Sequence, residues 1–177
     1  MTLLRAGLIS AVMLLGLAIW QGALQRAMAL EPLPAPTGPV ILTVDGRIAV
    51  HNTDTNKAAF DLAMLEALPQ SSFKTTTIWT DGVQEFIGVS VADLLARLGS
   101  DATQINALAS NDYEIRFPVS DVREHGGIIA YRANGAVLPP GNKGPLWIVF
   151  PFNADPALES ERFQGESIWN LATMTLH

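Results

Sequence analysis

The chain has 177 residues, 49% of them hydrophobic, a formal charge of −6 and no cysteine. Its acidity repels phosphate backbones, so nucleic acid is not an expected partner. With no cysteine, thiol nucleophiles, iron–sulfur clusters, thiolate metal sites and disulfides are excluded, and packing alone must hold the fold.

Arg5, the apolar run from Ala6 to Trp20 and the small-x-small triplet Ala27-Met28-Ala29 form the three parts of a secretory signal peptide, residues 1–29. Cleavage after Ala29 is expected, which gives a periplasmic or secreted protein. Retention as an anchor is the alternative, although the run is shorter than the ~20 apolar residues that cross a bilayer. Loss of Arg5 and Arg26 leaves the mature chain more acidic still. Pro32, Pro34, Pro36 and Pro39 make residues 30–39 a spacer, and residues 40–177 suffice for one domain with its own core.

Ile41 to Val44 and Arg47 to Val50 flank Asp45-Gly46 and are predicted to pair as a hairpin. From Lys57 to Leu68, Phe60, Met64, Leu65 and Leu68 recur at helical spacing, with Asp54, Thr55 or Asn56 as the cap and Pro69 as the stop. Thr75 to Trp79 reads as a strand, paired through Asp81-Gly82 with Gln84 to Val89. Ser90 then caps a helix from Val91 to Leu98, which Gly99 ends. Strands follow at Gln104 to Ala109, Tyr113 to Pro118, Ile128 to Ala133, Ala136 to Leu138, Leu146 to Phe150 and Ile168 to Leu176. Many short strands with two main surface helices predict a mixed, strand-rich α+β domain.

His51, His125 and His177 lack metal-ligand spacing, and no metal site is expected. Asp121, Glu124 and His125 lie close together but lack a serine on a nucleophile elbow, so they read as a polar helical turn. Asp155, Glu159, Glu161 and Glu166 read as solubilising surface charge. Trp79, Trp147 and Trp169 are each large enough to anchor a core or to offer a stacking surface.

The segments Thr76 to Trp79, Phe86 to Val89 before Asp93-Leu94-Leu95, Asn111-Asp112-Tyr113, Asn134-Gly135 with Leu138-Pro139, Lys143 to Trp147, and Trp169 come in a distinctive order. In that order and spacing they resemble the oxidoreductase molybdopterin-binding domain, the fold of sulfite oxidase. The resemblance implies a metal-binding cysteine on the loop after the strand at Thr75 to Trp79, where Trp79 or Thr80 stands here. It also implies a histidine-glycine pair before Pro145 and a cofactor-holding arginine two residues after it, where Asn142-Lys143 and Trp147 stand. The chain is more similar to small exported proteins that share the Lys-Gly-Pro-Leu-Trp form and lack that ligand set.

The expected function is a non-catalytic binding or sensing module with no catalytic residue and no cofactor. The expected pocket lies between the loop at Trp79 to Gly82 and the loop at Asn142 to Trp147. Its candidate ligand-binding residues are Trp79, Asp112, Tyr113, Arg132, Asn142, Lys143 and Trp147, facing a small anionic or heterocyclic ligand or a periplasmic or membrane protein partner. Alanine at Lys143 and Trp147 is expected to abolish binding and leave the fold intact. The alternatives are a molybdopterin-dependent oxidoreductase with a non-cysteine metal ligand, and an accessory subunit docking on a membrane partner.

Overall fold

Alternating apolar and polar residues build two five-stranded sheets in the computed structural model, which describes residues 30–177. The export signal and its cleavage site lie outside the described residues. The first sheet has the order β2 (Ala58–Phe60), β1 (Leu42–Gly46), β10 (Leu171–Leu176), β5 (Gln104–Ala109), β6 (Glu114–Pro118). Only β1 and β10 run parallel; the remaining pairs are antiparallel. The second sheet runs β3 (Gln70–Thr75), β4 (Gln84–Ser90), β7 (Ile128–Ala133). The far edge of β7 is divided between β8 (Ala136–Val137), which pairs with Arg132 and Ala133, and β9 (Trp147–Val149), which pairs with Ile128 to Ala130.

Four short helices cover these sheets: α1 (Leu62–Glu66), α2 (Val91–Arg97), α3 (Val119–His125) and α4 (Glu161–Glu166). In α2 the Ser90 hydroxyl accepts from the Asp93 N–H, and Val91, Leu94 and Leu95 form its buried face, one helical turn apart as the sequence pattern requires. Val119, Val122, Phe150, Phe163 and Leu158 continue the same core on the far side. The architecture is the expected strand-rich α+β mixture.

Three local expectations are corrected. Asp45-Gly46 does not turn a hairpin: β1 pairs with β2 and β10, while Ala49 and Val50 donate their N–H groups to the Leu98 carbonyl. Gly46 has φ +88°, and a Cβ there would lie 2.2 Å from the Leu176 carbonyl oxygen, so the positive φ serves close strand approach instead of a two-residue turn. The helix expected over 57–68 is divided, because Ala58–Phe60 joins β1 as a wholly buried strand and the helix begins after Asp61. The third correction is a shift of strand: β3 ends at Thr75, and Thr76 to Trp79 forms a loop because Asn153 captures that backbone.

The proline-rich segment also differs from a free spacer. The Pro32 carbonyl accepts from Arg97, the Pro34 carbonyl from Asn52, and the Thr37 and Gly38 N–H groups donate to Asp61 Oδ2, each at 2.7 Å. Prolines cannot donate, so these carbonyls and the N–H groups that remain are what tie the segment down. Asp61 Oδ1 meanwhile caps α1 through the Met64 N–H at 2.8 Å. The Met64 N–H, then those of Gly38 and Thr37, hold the Asp61 carboxyl below its usual pKa. Its folded pKa being depressed, the stabilisation it gives is present above the ordinary aspartate value and fades as pH falls through the folded one. Asp61→Ala is expected to lower Tm by a few degrees at neutral pH and to leave a smaller difference near pH 3, measured by thermal melts at both pH values.

Candidate functional site

The site begins where β3 ends. Thr75 is fully buried and its hydroxyl donates to Asn153 Oδ1 at 2.8 Å, while Thr76 donates to the same oxygen from its N–H and its hydroxyl. One amide oxygen thereby stops the ladder and turns the chain. Thr77 then receives the Trp79 N–H on its hydroxyl, which lies 2.8 Å from that of Thr80, and the resulting tight loop presents the Trp79 indole inward.

Trp79 meets two other indoles. Its ring centroid lies 5.9 Å from Trp147 and 5.3 Å from Trp169, both edge-on, and Trp147 and Trp169 are 6.1 Å apart at 88°. Edge-to-face contact sets the positive rim of one ring against the negative face of the next. Trp147 is buried beneath, also packed on Phe86, and its Nε1–H donates to the Ser167 carbonyl at 3.1 Å. The Pro140–Gly144 loop before it is close-packed: a Cβ on Gly144 would lie 2.4 Å from the Leu138 carbonyl oxygen, which accounts for the glycine of the Lys-Gly-Pro motif by packing alone.

Residues 167–170 carry the chain from one sheet to the other. The Ile148 N–H donates to the Ile168 carbonyl and the Leu171 N–H to the Leu146 carbonyl, so Trp169 is held beside Trp147 before β10 joins the first sheet. The Asn111-Asp112-Tyr113 turn docks on the same crossing, with the Ser110 N–H on the Asn170 carbonyl and the Tyr113 hydroxyl donating to the Gly165 carbonyl at 3.2 Å.

Between these parts lies a cavity of about 390 Å³. Trp79 and Trp169 form one wall, the Asn111–Tyr113 turn a second, and α4 the third through Glu161, Gln164 and Gly165, with Ser167 and Ile168 beside them. Its size falls at the small end of small-molecule sites, which bury aromatic and apolar surface around a few polar groups. Glu161 is its one charged lining residue.

A buried charge cluster underpins α4. Arg162 bridges Asp121 of α3 and Glu166 of its own helix, and both carboxyl groups are almost fully buried. Burial first, and then the neighbouring Asp121, push the Glu166 carboxyl up to about 8. Asp121 in turn, with Glu166, raises the Arg162 guanidinium above its already high value. Glu166 Oε2 has no donor in reach, as suits a protonated oxygen whose own hydrogen can go to Asp121.

Of the residues singled out in sequence, Trp79 and Tyr113 line the cavity and Trp147 supports it from below. Asp112 has φ +67° at the tip of the turn and does not line it. Arg132 is engaged elsewhere, 2.7 Å from Glu66. Asn142 and Lys143 do not line it either, because the space between the Trp79 loop and Trp147 is filled by the indoles themselves. The cavity opens on the opposite side of Trp79, toward α4. The sequence reading left out Asn111, Glu161, Gln164 and Trp169; only the i, i+3 spacing of Glu161 and Gln164 hinted at a shared helical face.

His125 packs its ring 4.9 Å from Phe163 and faces Asp155 at 3.8 Å. Among the described residues no three histidine, aspartate or glutamate side chains gather as a metal ligand set.

The family model of the oxidoreductase molybdopterin-binding domain matches residues 37–154. The match takes in Trp79, Asn111, Tyr113 and Trp147 but ends before α4 and Trp169. A comparison with curated proteins finds no match.

Proposed function

Because the chain belongs to the oxidoreductase molybdopterin-binding domain family, we propose that it is an exported, non-catalytic ligand-binding module built on that family's frame. The family usually binds molybdopterin, whose metal and anionic phosphate ask for a soft donor and for cations. The residues around Trp79 do not fit that demand. The chain has no thiolate to offer, and the cavity presents a carboxylate, Glu161, with no lysine or arginine in its lining.

The observation that carries the reading is the place of Trp79. It follows the strand that leads to the family's metal loop, and its indole is wedged against Trp147 and Trp169 at 5.9 and 5.3 Å. A large apolar ring there fills space and offers a stacking face, and it cannot ligate a metal. Next to it stands an open cavity with aromatic walls and a few polar groups, which suits binding without bond-making.

The test is elemental and pterin analysis of protein matured and exported in a host that makes and inserts molybdopterin. The expected result is molybdenum far below one atom per chain and no bound pterin. Stoichiometric metal with pterin would instead establish an oxidoreductase with a non-cysteine ligand and end this reading.

A further inference from the structure

We infer that the cavity beside Trp79 and Trp169 takes a small organic cation with a methylated, quaternary ammonium head. This rests on the ligand-binding reading above and departs from the expectation of an anionic ligand.

Three features of the cavity converge on that chemistry. Its walls are aromatic: the indoles of Trp79 and Trp169 meet at 5.3 Å and 70°, and the Tyr113 ring completes the enclosure. The faces of such rings carry negative potential and attract ammonium groups, most strongly where the cation carries little water. The sole charged lining residue is a carboxylate, Glu161. The nearest arginine along α4, Arg162, is committed to Asp121 and Glu166 and adds no free cation to the cavity. An anion would meet one like charge and no opposite one.

The geometry is also fixed before any ligand arrives. The Tyr113 hydroxyl is tied to the Gly165 carbonyl at 3.2 Å, which sets its ring relative to α4, and Trp169 is held by the strand crossing at residues 167–170. Preset walls lower the ordering cost of binding. A methylated head has no N–H groups to satisfy, so it loses little on leaving water for aromatic faces, while Glu161 at the exposed rim supplies long-range attraction. Of these determinants, Trp169, Glu161 and Gly165 lie beyond residue 154, where the family match ends. The proposed specificity thus belongs to the C-terminal part of this chain.

Binding of phenyltrimethylammonium and tetramethylammonium to the full exported protein, followed by tryptophan fluorescence and calorimetry, tests the inference. Both should bind, and the uncharged tert-butylbenzene analogue of the first should bind at least about tenfold more weakly. Glu161→Gln should weaken both cations several-fold and flatten their salt dependence, and Tyr113→Ala, at a half-exposed position, should weaken them about tenfold while the melting curve stays unchanged. The cation assignment is overturned if neither ammonium binds at millimolar concentration, or if the neutral analogue binds as tightly. Binding of the neutral compound alone, abolished by Tyr113→Ala, would still leave the cavity a ligand site; stoichiometric molybdenum would remove the ligand-module reading itself.

Discussion

Replacing Trp147 by alanine is expected to cost the fold ~3–5 kcal/mol, the range for truncating a buried aromatic. Trp147 is 1% exposed and sits where β9, the strand crossing and the three-indole cluster meet. Truncation removes contacts to Trp79, Trp169 and Phe86 at 5.9, 6.1 and 5.3 Å between ring centroids, and it leaves a void that neighbouring strands cannot close without breaking their ladders. It also strips the Ser167 carbonyl of the indole N–H that satisfies it. Trp147→Phe keeps most of the volume and loses mainly that hydrogen bond, so it should cost less, ~1–3 kcal/mol. Urea unfolding of the three proteins, with m-values compared, checks both the order and the size.

Against a total stability of ~5–15 kcal/mol, the alanine loss is a large share. The expectation that Trp147→Ala would abolish binding on an intact fold is thereby corrected: loss of binding in that variant would report loss of structure. Lys143 does not line the cavity. Tyr113 and Glu161, both exposed and both at the cavity, are the positions from which binding can be probed cleanly.

The second large effect is in the pH dependence of stability. Glu166 is 3% exposed and its carboxyl is pushed up to about 8, by burial first and by Asp121 next, against the partial relief that Arg162 gives. The folded protein therefore holds this proton over a range in which the unfolded chain, near the ordinary glutamate value, has released it. Between roughly pH 4.5 and 8 folding takes up a proton, so the contribution falls as pH rises, by at most ~1.4 kcal/mol per pH unit, and levels off above about 8.

Glu166→Gln keeps an acceptor for the Arg162 Nε–H and supplies an N–H₂ donor toward Asp121 without a titrating proton. This variant is expected to be as stable as the parent near pH 5 and more stable by ~1–3 kcal/mol near pH 9, read from urea unfolding at the two values. Parallel pH profiles for parent and variant would contradict the assignment. Glu166 lies one residue beyond Gly165 on α4, so the same titration bears on the helix that walls the cavity.

Much of this architecture is legible in the residues themselves. Ser90 with Asp93 and the Val91, Leu94, Leu95 spacing dictate α2 locally, and the strands at Gln104–Ala109 and Ile128–Ala133 follow from alternation, burial and turn chemistry at Asn134-Gly135, both at positive φ. Where sequence reading fails, a distant partner has overridden a local preference. Ala58-Ala59-Phe60 suits a helix equally well and becomes a strand only because the β1 edge needs pairing. Thr75 to Trp79 has the composition of a strand, yet Asn153, 77 residues from Thr76, converts most of it into the loop that places Trp79.

The candidate site follows the same rule. Trp79 and Tyr113 can be picked out as unusual aromatics at marked places in the chain. Asn111, Glu161, Gln164 and Trp169 join them only through the crossing of residues 167–170 between the two sheets, a long-range event that no local pattern announces. Glu166 looks like one more solubilising charge until α3 and α4 are packed and Asp121 is found beside it.

A crystal structure of the protein purified directly from the organism's exported fraction tests the central claim most directly. The account predicts Trp79 lodged against Trp147 and Trp169, with any bound small molecule in the cavity walled by Tyr113 and α4. Density for a metal–pterin centre at that place, with the Trp79 indole displaced to admit it, would contradict it.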